Sequence, residues 1–200
     1  AFESLSEKLS SAFKKLTGKG GEELEEFYLS NRDCGENLLF GILADLKEAG
    51  KAELPEDQNC LLAAKEAVER LNRKYGGGFY LFYRERAYNE RDKRWCGFER
   101  KRGALLSLAK LLGGEESGLI TLSGDVSRLR GAAYILTLDA DTRLCPGTAR
   151  ELVGAMLHPL NRPVLDEKTG VVTSGYGLIH PRISVDLTSA TETDFARIFA

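Results

Sequence analysis

Disulfide and zinc frameworks are the first architectures the sequence excludes. Its four cysteines, at positions 34, 60, 96 and 145, are scattered with no Cys-x-x-Cys pair among them, and a reducing cytoplasm fits that usage best. Histidine is scarcer still. His158 and His180 lie apart, neither has a metal-ligand companion at helical spacing, and each reads as structural. No Gly-x-Ser-x-Gly elbow offers a serine nucleophile. Lys19 stands between glycines, but the earlier glycine of a phosphate-binding loop is missing, so the stretch reads as a surface turn.

Long apolar runs are absent too. The longest, Leu38 to Ala44, falls far short of the roughly 20 residues that span a bilayer. No basic segment precedes an apolar core as in a secretory signal. The chain reads as soluble, and its 200 residues suit one sizeable α/β domain or most of one. A formal net charge of -2 argues against bulk nucleic-acid binding. Leu187 to Ala200 carries an amphipathic pattern cut off before any stop signal, which reads as a piece of a longer polypeptide.

What is present is organised around residues 131–142. Ala132 to Leu138, apolar and β-branched, reads as a strand buried on both faces. Asp139 and Asp141 follow it directly, and ligands of open α/β sheets collect at the carboxyl ends of strands. Two carboxylates so close repel by up to about 4 kcal/mol at the effective dielectric of a protein surface. A divalent cation such as magnesium offsets that repulsion, taking one or two carboxylates and completing its shell with water and phosphate oxygens. The other reading of Asp-Ala-Asp-Thr is a turn with a helix N-cap.

Other elements follow from periodicity. Phe2, Leu5, Leu9, Phe13 and Leu16 give one helical stripe, and a short helix is expected over 22–30. Asn37 to Asp45 reads as a strand ending in an acid. Pro55 to Asp57 punctuate the chain before a helical stripe of Leu61, Ala64, Val68, Leu71 and Tyr75, closed by Gly76 to Gly78. Phe79 to Tyr83 is a further strand. Strand, helix and strand alternate in this order through residue 138, which predicts a mostly parallel open sheet flanked by helices. Beyond the aspartates a helix is expected after Pro146-Gly147 to about Leu157, then a hairpin over 164–179 around Asp166 to Gly170.

From Arg84 to Arg102 eight basic side chains face four acidic ones, with Tyr88, Trp95 and Phe98 interleaved. Three readings stay open: a surface for single-stranded nucleic acid, a site for a nucleotide diphosphate, and a solvated hairpin. The cluster Arg100-Lys101-Arg102-Gly103 opens a helix over 104–112. Helix-dipole physics alone would place acids there, so the cations point to an anion such as phosphate.

Several runs together carry a family likeness: Phe79 to Arg84, Trp95 to Gly103, Ile135 to Thr142, Arg150 to Val153, His158 to Val164 and Gly175 to Gly177. From about Glu22 onward the chain closely resembles the glycosyltransferase domain of cyclic β-1,2-glucan synthases. The resemblance implies a GT-A-like fold, truncated, related to cellulose and hyaluronan synthases, that transfers glucose from UDP-glucose to a glucan acceptor. It implies that Asp139 and Asp141 bridge a divalent metal, magnesium or manganese, to the donor diphosphate. Asp45 then meets the uracil ring, and Lys101 and Arg102, beside Arg100, approach the nucleotide.

The general base is expected beyond Ala200 and the opening strand before Ala1. On this reading residues 1–130 are the nucleotide-binding half of one partial domain, and 131–200 carry the Asp-x-Asp and the start of the acceptor half. The parent would be a multi-pass inner-membrane protein with the transferase on its cytoplasmic face, and no nucleic-acid partner is expected. Ile179-His180-Pro181-Arg182 departs from the family, where a glutamine precedes the proline, so His180 is given no contact. Two other classes fit parts of the sequence: a nucleotide-binding or scaffold fragment without turnover, and a haloacid-dehalogenase-like phosphatase. Such a phosphatase wants Thr or Val where Arg143 stands.

Overall fold

A computed structural model describes residues 20–139 and 142–182. The stripe expected over 2–16, Asp141, and the pattern from Leu187 lie outside the described residues. The chain divides into two compact units, the first ending at Ala149 and the second beginning at Arg150.

The first unit is built on one hexapeptide. Strand β2, Phe79–Arg84, pairs in parallel with β1, Phe40–Asp45, and antiparallel with β5, Ile120–Ser123, giving an open sheet of order β1-β2-β5. The connection from β1 to β2 is helix α2, Pro55–Tyr75, as a parallel pair requires. Period-two alternation then divides β2 between two cores. Phe79 and Leu81 face α2 and α1, Gly20–Ser30, joining Leu24, Ile42, Val68 and Leu71. Tyr80 and Phe82 face the opposite side, with Leu129 and, on helix α3, Arg100–Leu112, Leu108 and Leu111. Burying each such side chain stabilises the fold by about 1.5–3 kcal/mol.

The helices begin and end for local reasons. Pro55 starts α2 because a helix's first residue needs no N–H partner and proline presets φ; the punctuation read there opens the helix. Gly76 ends α2 in the left-handed conformation, its N–H donating to the Asn72 carbonyl.

Two expectations are corrected. The sheet is mixed, because β5 runs antiparallel to β2. Ala132 to Leu138 joins no ladder, and all of it but the half-buried Leu138 is exposed, with Tyr134, Ile135 and Leu136 each about 40% accessible. Its composition suits a strand, but a strand exists only with a neighbour to complete its hydrogen bonds, and the described sheet edges do not take it.

A buried ion pair fixes the loop after β1. The Arg86 side chain is fully buried and donates to the Lys47 and Ala52 carbonyls, at 2.6 and 2.9 Å, and to both Asp57 oxygens. Asp57 also accepts from the Leu54 N–H at 2.8 Å, capping α2. On the far side, Ala49 exchanges two 2.9 Å backbone bonds with Trp95 on the hairpin of β3, Ala87–Asn89, and β4, Arg94–Cys96.

The second unit comprises helix α4, Thr148–Leu157, from Arg150 onward, a turn over Pro159–Asn161, and a hairpin of β6, Val164–Leu165, and β7, Val172–Ser174. Asn161 ties helix to hairpin, donating to the Ala155 carbonyl and accepting from the Tyr176 N–H, both at 2.9 Å. His158 Nδ1 accepts from the Leu160 N–H at 3.3 Å, the structural role expected of it. His180 is exposed, on an open cavity of about 300 Å³ that it lines with Asn161, Tyr176, Leu178 and Ile179.

Arg86 holds the Asp57 carboxyl below its ordinary value of 3.8. A carboxyl depressed by folding stabilises the fold fully at pH above its ordinary value and loses that contribution as pH falls toward the lowered one. Asp57→Ala strands a buried guanidinium and should cost about 3–5 kcal/mol in urea denaturation at pH 7. The gap from the parent should narrow in acid below about pH 4. A gap constant from pH 7 to pH 2 would remove the pair as its source.

Candidate functional site

The site gathers at the carboxyl ends of β1 and β2. These strands run in register, so their last residues, Asp45 and Arg84, are direct partners. Alternation carries Leu43 and Asp45, like Phe82 and Arg84, to the α3 face. There the guanidinium meets the carboxylate with two bonds, Nε to Oδ1 at 2.9 Å and the second terminal nitrogen to Oδ2 at 2.7 Å.

Arg84 spends two further donors on the chain that leads into α3. Its terminal nitrogens donate to the carbonyls of Phe98 at 3.0 Å and Arg100 at 2.8 Å. The turn these bonds hold is strained: Glu99 and Arg100 have φ of 52° and 50°, a left-handed backbone that costs non-glycine residues on the order of 1–3 kcal/mol each. Two glycines make room for the guanidinium. A Cβ at Gly97 would lie 2.9 Å from the Arg84 nitrogen and the Asp45 carboxylate, and one at Gly103 would lie 2.1 Å from the Phe98 carbonyl oxygen.

Helix α3 thus starts at Arg100, earlier than its apolar pattern suggests, and carries the basic cluster in its first turn with no acid there. Each cation has found a carboxylate elsewhere. Arg100 pairs with Glu48 at 2.6 Å, Arg102 with Glu99 at 2.6 Å, and Lys101 Nζ with Asp139. The last contact brings the basic turn to the first aspartate of the Asp-x-Asp, 38 positions further along the chain. Lys101 and Arg102 also line an open groove of about 440 Å³ with Leu105 and Leu106.

Of the residues singled out from sequence, the structure brings together Lys101 and Asp139, and sets Asp45 beneath Arg100 through Arg84. Asp141 lies outside the described residues. The sequence reading treated Arg84 as one cation among eight. Its signal was position: a charge continuing the alternation of Tyr80 and Phe82 in a strand covered on both faces must be paired.

Asp139 suits a magnesium-type ion, being an exposed hard oxygen donor; such ions keep waters and phosphate oxygens and need only one or two protein carboxylates. Among the described residues no three His, Cys, Asp or Glu side chains form an all-protein cage. Asp139 is the one member of the Asp-x-Asp among the described residues that could serve as such a donor.

No family model matches the chain. In an alignment of 181 positions that covers 88% of its length, it is 39% identical to the cyclic beta-(1,2)-glucan synthase NdvB of Rhizobium meliloti (strain 1021). The chain is related to a segment of that glucan synthase. It spans 6% of the relative's length. The resemblance drawn from the motifs thus holds over most of the chain. Among the described residues of this synthase-like segment, no helix is long and apolar enough to cross a membrane.

Lys101 and Asp139 are both more than half exposed, and exposed ion pairs contribute about 0–1 kcal/mol. Lys101→Ala should therefore shift the urea unfolding free energy by less than about 1 kcal/mol. A loss several times larger would make the contact part of the fold's support.

Proposed function

We propose that the chain is the donor-binding part of a GT-A-like glycosyltransferase that moves glucose from UDP-glucose to a growing β-1,2-glucan. The observation that carries this reading is the meeting of Lys101 with Asp139 beside a helix N-terminus crowded with cations. The relative's name, a cyclic β-(1,2)-glucan synthase, supports a glucan as product.

In this reading Lys101 and Arg102, with Arg100 beside them, lie against the donor diphosphate. Each cation now rests on an exposed carboxylate; such pairs are weak, and a diphosphate offers the same cations stronger charge-assisted bonds. The exchange frees Asp139, which with Asp141 would hold magnesium or manganese. That ion, when bound, supplies positive charge where UDP departs. Asp45 accepts from Arg84 through both oxygens, yet each carboxylate oxygen has a second lone pair, enough for the imide N–H of uracil. Lys101 and Arg102 stabilise the negative charge that grows on the leaving diphosphate. The parent protein, on this reading, is embedded in the inner membrane with this part on its cytoplasmic face.

Calorimetric titration of UDP and UDP-glucose with magnesium or manganese tests the proposal. Binding should require the metal and vanish in Asp139→Asn/Asp141→Asn. A folded chain that binds neither ligand, both as it stands and when extended at both ends, overturns it.

A further inference from the structure

Arg84 is 7% exposed and has no route to a ligand of its own, yet all its described bonds converge on the site. One edge of the guanidinium is locked to Asp45 at the end of the parallel strand pair. The terminal nitrogens hold the Phe98 and Arg100 carbonyls, on either side of Glu99, the first left-handed residue of the turn. The residue after Arg100 is Lys101.

We infer that Arg84 is a positioning residue: it transmits the fixed height of the sheet to the 98–101 turn and thereby aims Lys101 at Asp139 and the donor diphosphate. The part concerning the diphosphate rests on the function proposed above; the part concerning Lys101 and Asp139 does not. The geometry demands arginine. A planar fork reaches a carboxylate with two parallel bonds and still presents nitrogens to two carbonyls, whereas a lysine ammonium is a point donor on a flexible stem. Gly97 and Gly103 belong to the same device, since a methyl group on either enters the space the guanidinium or its carbonyl partner fills. Without the clamp, two left-handed non-glycine residues have little reason to keep their conformation.

The test compares the parent chain with Arg84→Lys, which preserves the charge opposite Asp45, and with Gly97→Ala, which crowds the pair by one methyl without altering any charge. Two readouts are taken. In the first, Asp139→Asn is added to each background and the NMR shifts of the Lys101 amide and Nζ are followed, with no nucleotide present. The parent should respond, Arg84→Lys should not, and Gly97→Ala should respond more weakly.

In the second, magnesium-dependent UDP affinity is measured. It should fall about 10- to 100-fold in Arg84→Lys, in line with the cost of a misplaced binding group. Adding Lys101→Ala to Arg84→Lys should then weaken binding little further, because Arg84 acts through Lys101. A Lys101 response to Asp139→Asn that keeps its full size in the clamp variants overturns the inference, as does an additive loss of affinity. Should the parent bind no UDP, the donor reading fails while the Lys101 response still decides the role of Arg84. Should Arg84→Lys not fold, Gly97→Ala carries the same comparison.

Discussion

The pairing of Asp45 with Arg84 is the constraint from which the site follows. Taking a guanidinium out of water costs several kcal/mol unless its donors are met, and here one carboxylate and two carbonyls accept four bonds from it. None of these partners is optional. The carboxylate exists at that height because β1 and β2 are in parallel register, and the carbonyls exist there only if the chain passes through the left-handed turn at Glu99. A requirement for charge satisfaction at the sheet's rim thus dictates the backbone path into α3, and with it where the basic cluster stands.

That placement leaves the rim electrostatically unresolved. The first turn of α3 carries three cations and no acid, against the sense of the helix dipole. The local answer is a set of ion pairs drawn from three different segments: Glu48 after β1, Glu99 before α3, and Asp139 after the exposed run. Long side chains meeting in water gain little from such pairs once their rotamer entropy is counted. Their partners are therefore exchangeable, whereas the buried Arg86–Asp57 pair, satisfied by the same residue types, is not. Burial separates the two roles: one pair anchors a loop, and the others hold cations where an anion can compete for them.

Much of the fold was legible because it rests on periodicities that local sequence carries. The stripe from Leu61 to Tyr75, its glycine stop and the apolar run of Phe79 to Tyr83 announced α2 and β2. What local sequence does not carry is the identity of a distant partner. Ala132 to Leu138 has the composition of a buried strand, but ladder formation depends on which backbone edge reaches it. Strand β5, Ile120–Ser123, and its antiparallel direction were not read from the sequence at all, for the same reason. The turn at Glu99 and Arg100 was invisible in a different way, since nothing in Phe-Glu-Arg favours a positive φ; it is imposed from below by Arg84. At the site, the acids and bases were visible as types, and their pairing was not.

The run of 132–138 shows how a segment without a ladder can still have a place. Its start is held where Leu129 is buried against Tyr80 and Phe82, with the Ala132 N–H donating to the Leu129 carbonyl at 2.9 Å. Its end is held by Lys101 on Asp139. Between those points no ladder fixes the backbone, and Asp139 has the weak Lys101 pair and the Thr142 N–H, which its carbonyl accepts at 2.9 Å. Lys101 in turn is set by α3, and α3 by Arg84. A series of contacts thus runs from the sheet through Arg84 and Lys101 to the first aspartate of the Asp-x-Asp. On the function proposed above, a diphosphate arriving at Lys101 would compete for that last contact, so that its binding and the release of Asp139 toward a cation would be one coupled event.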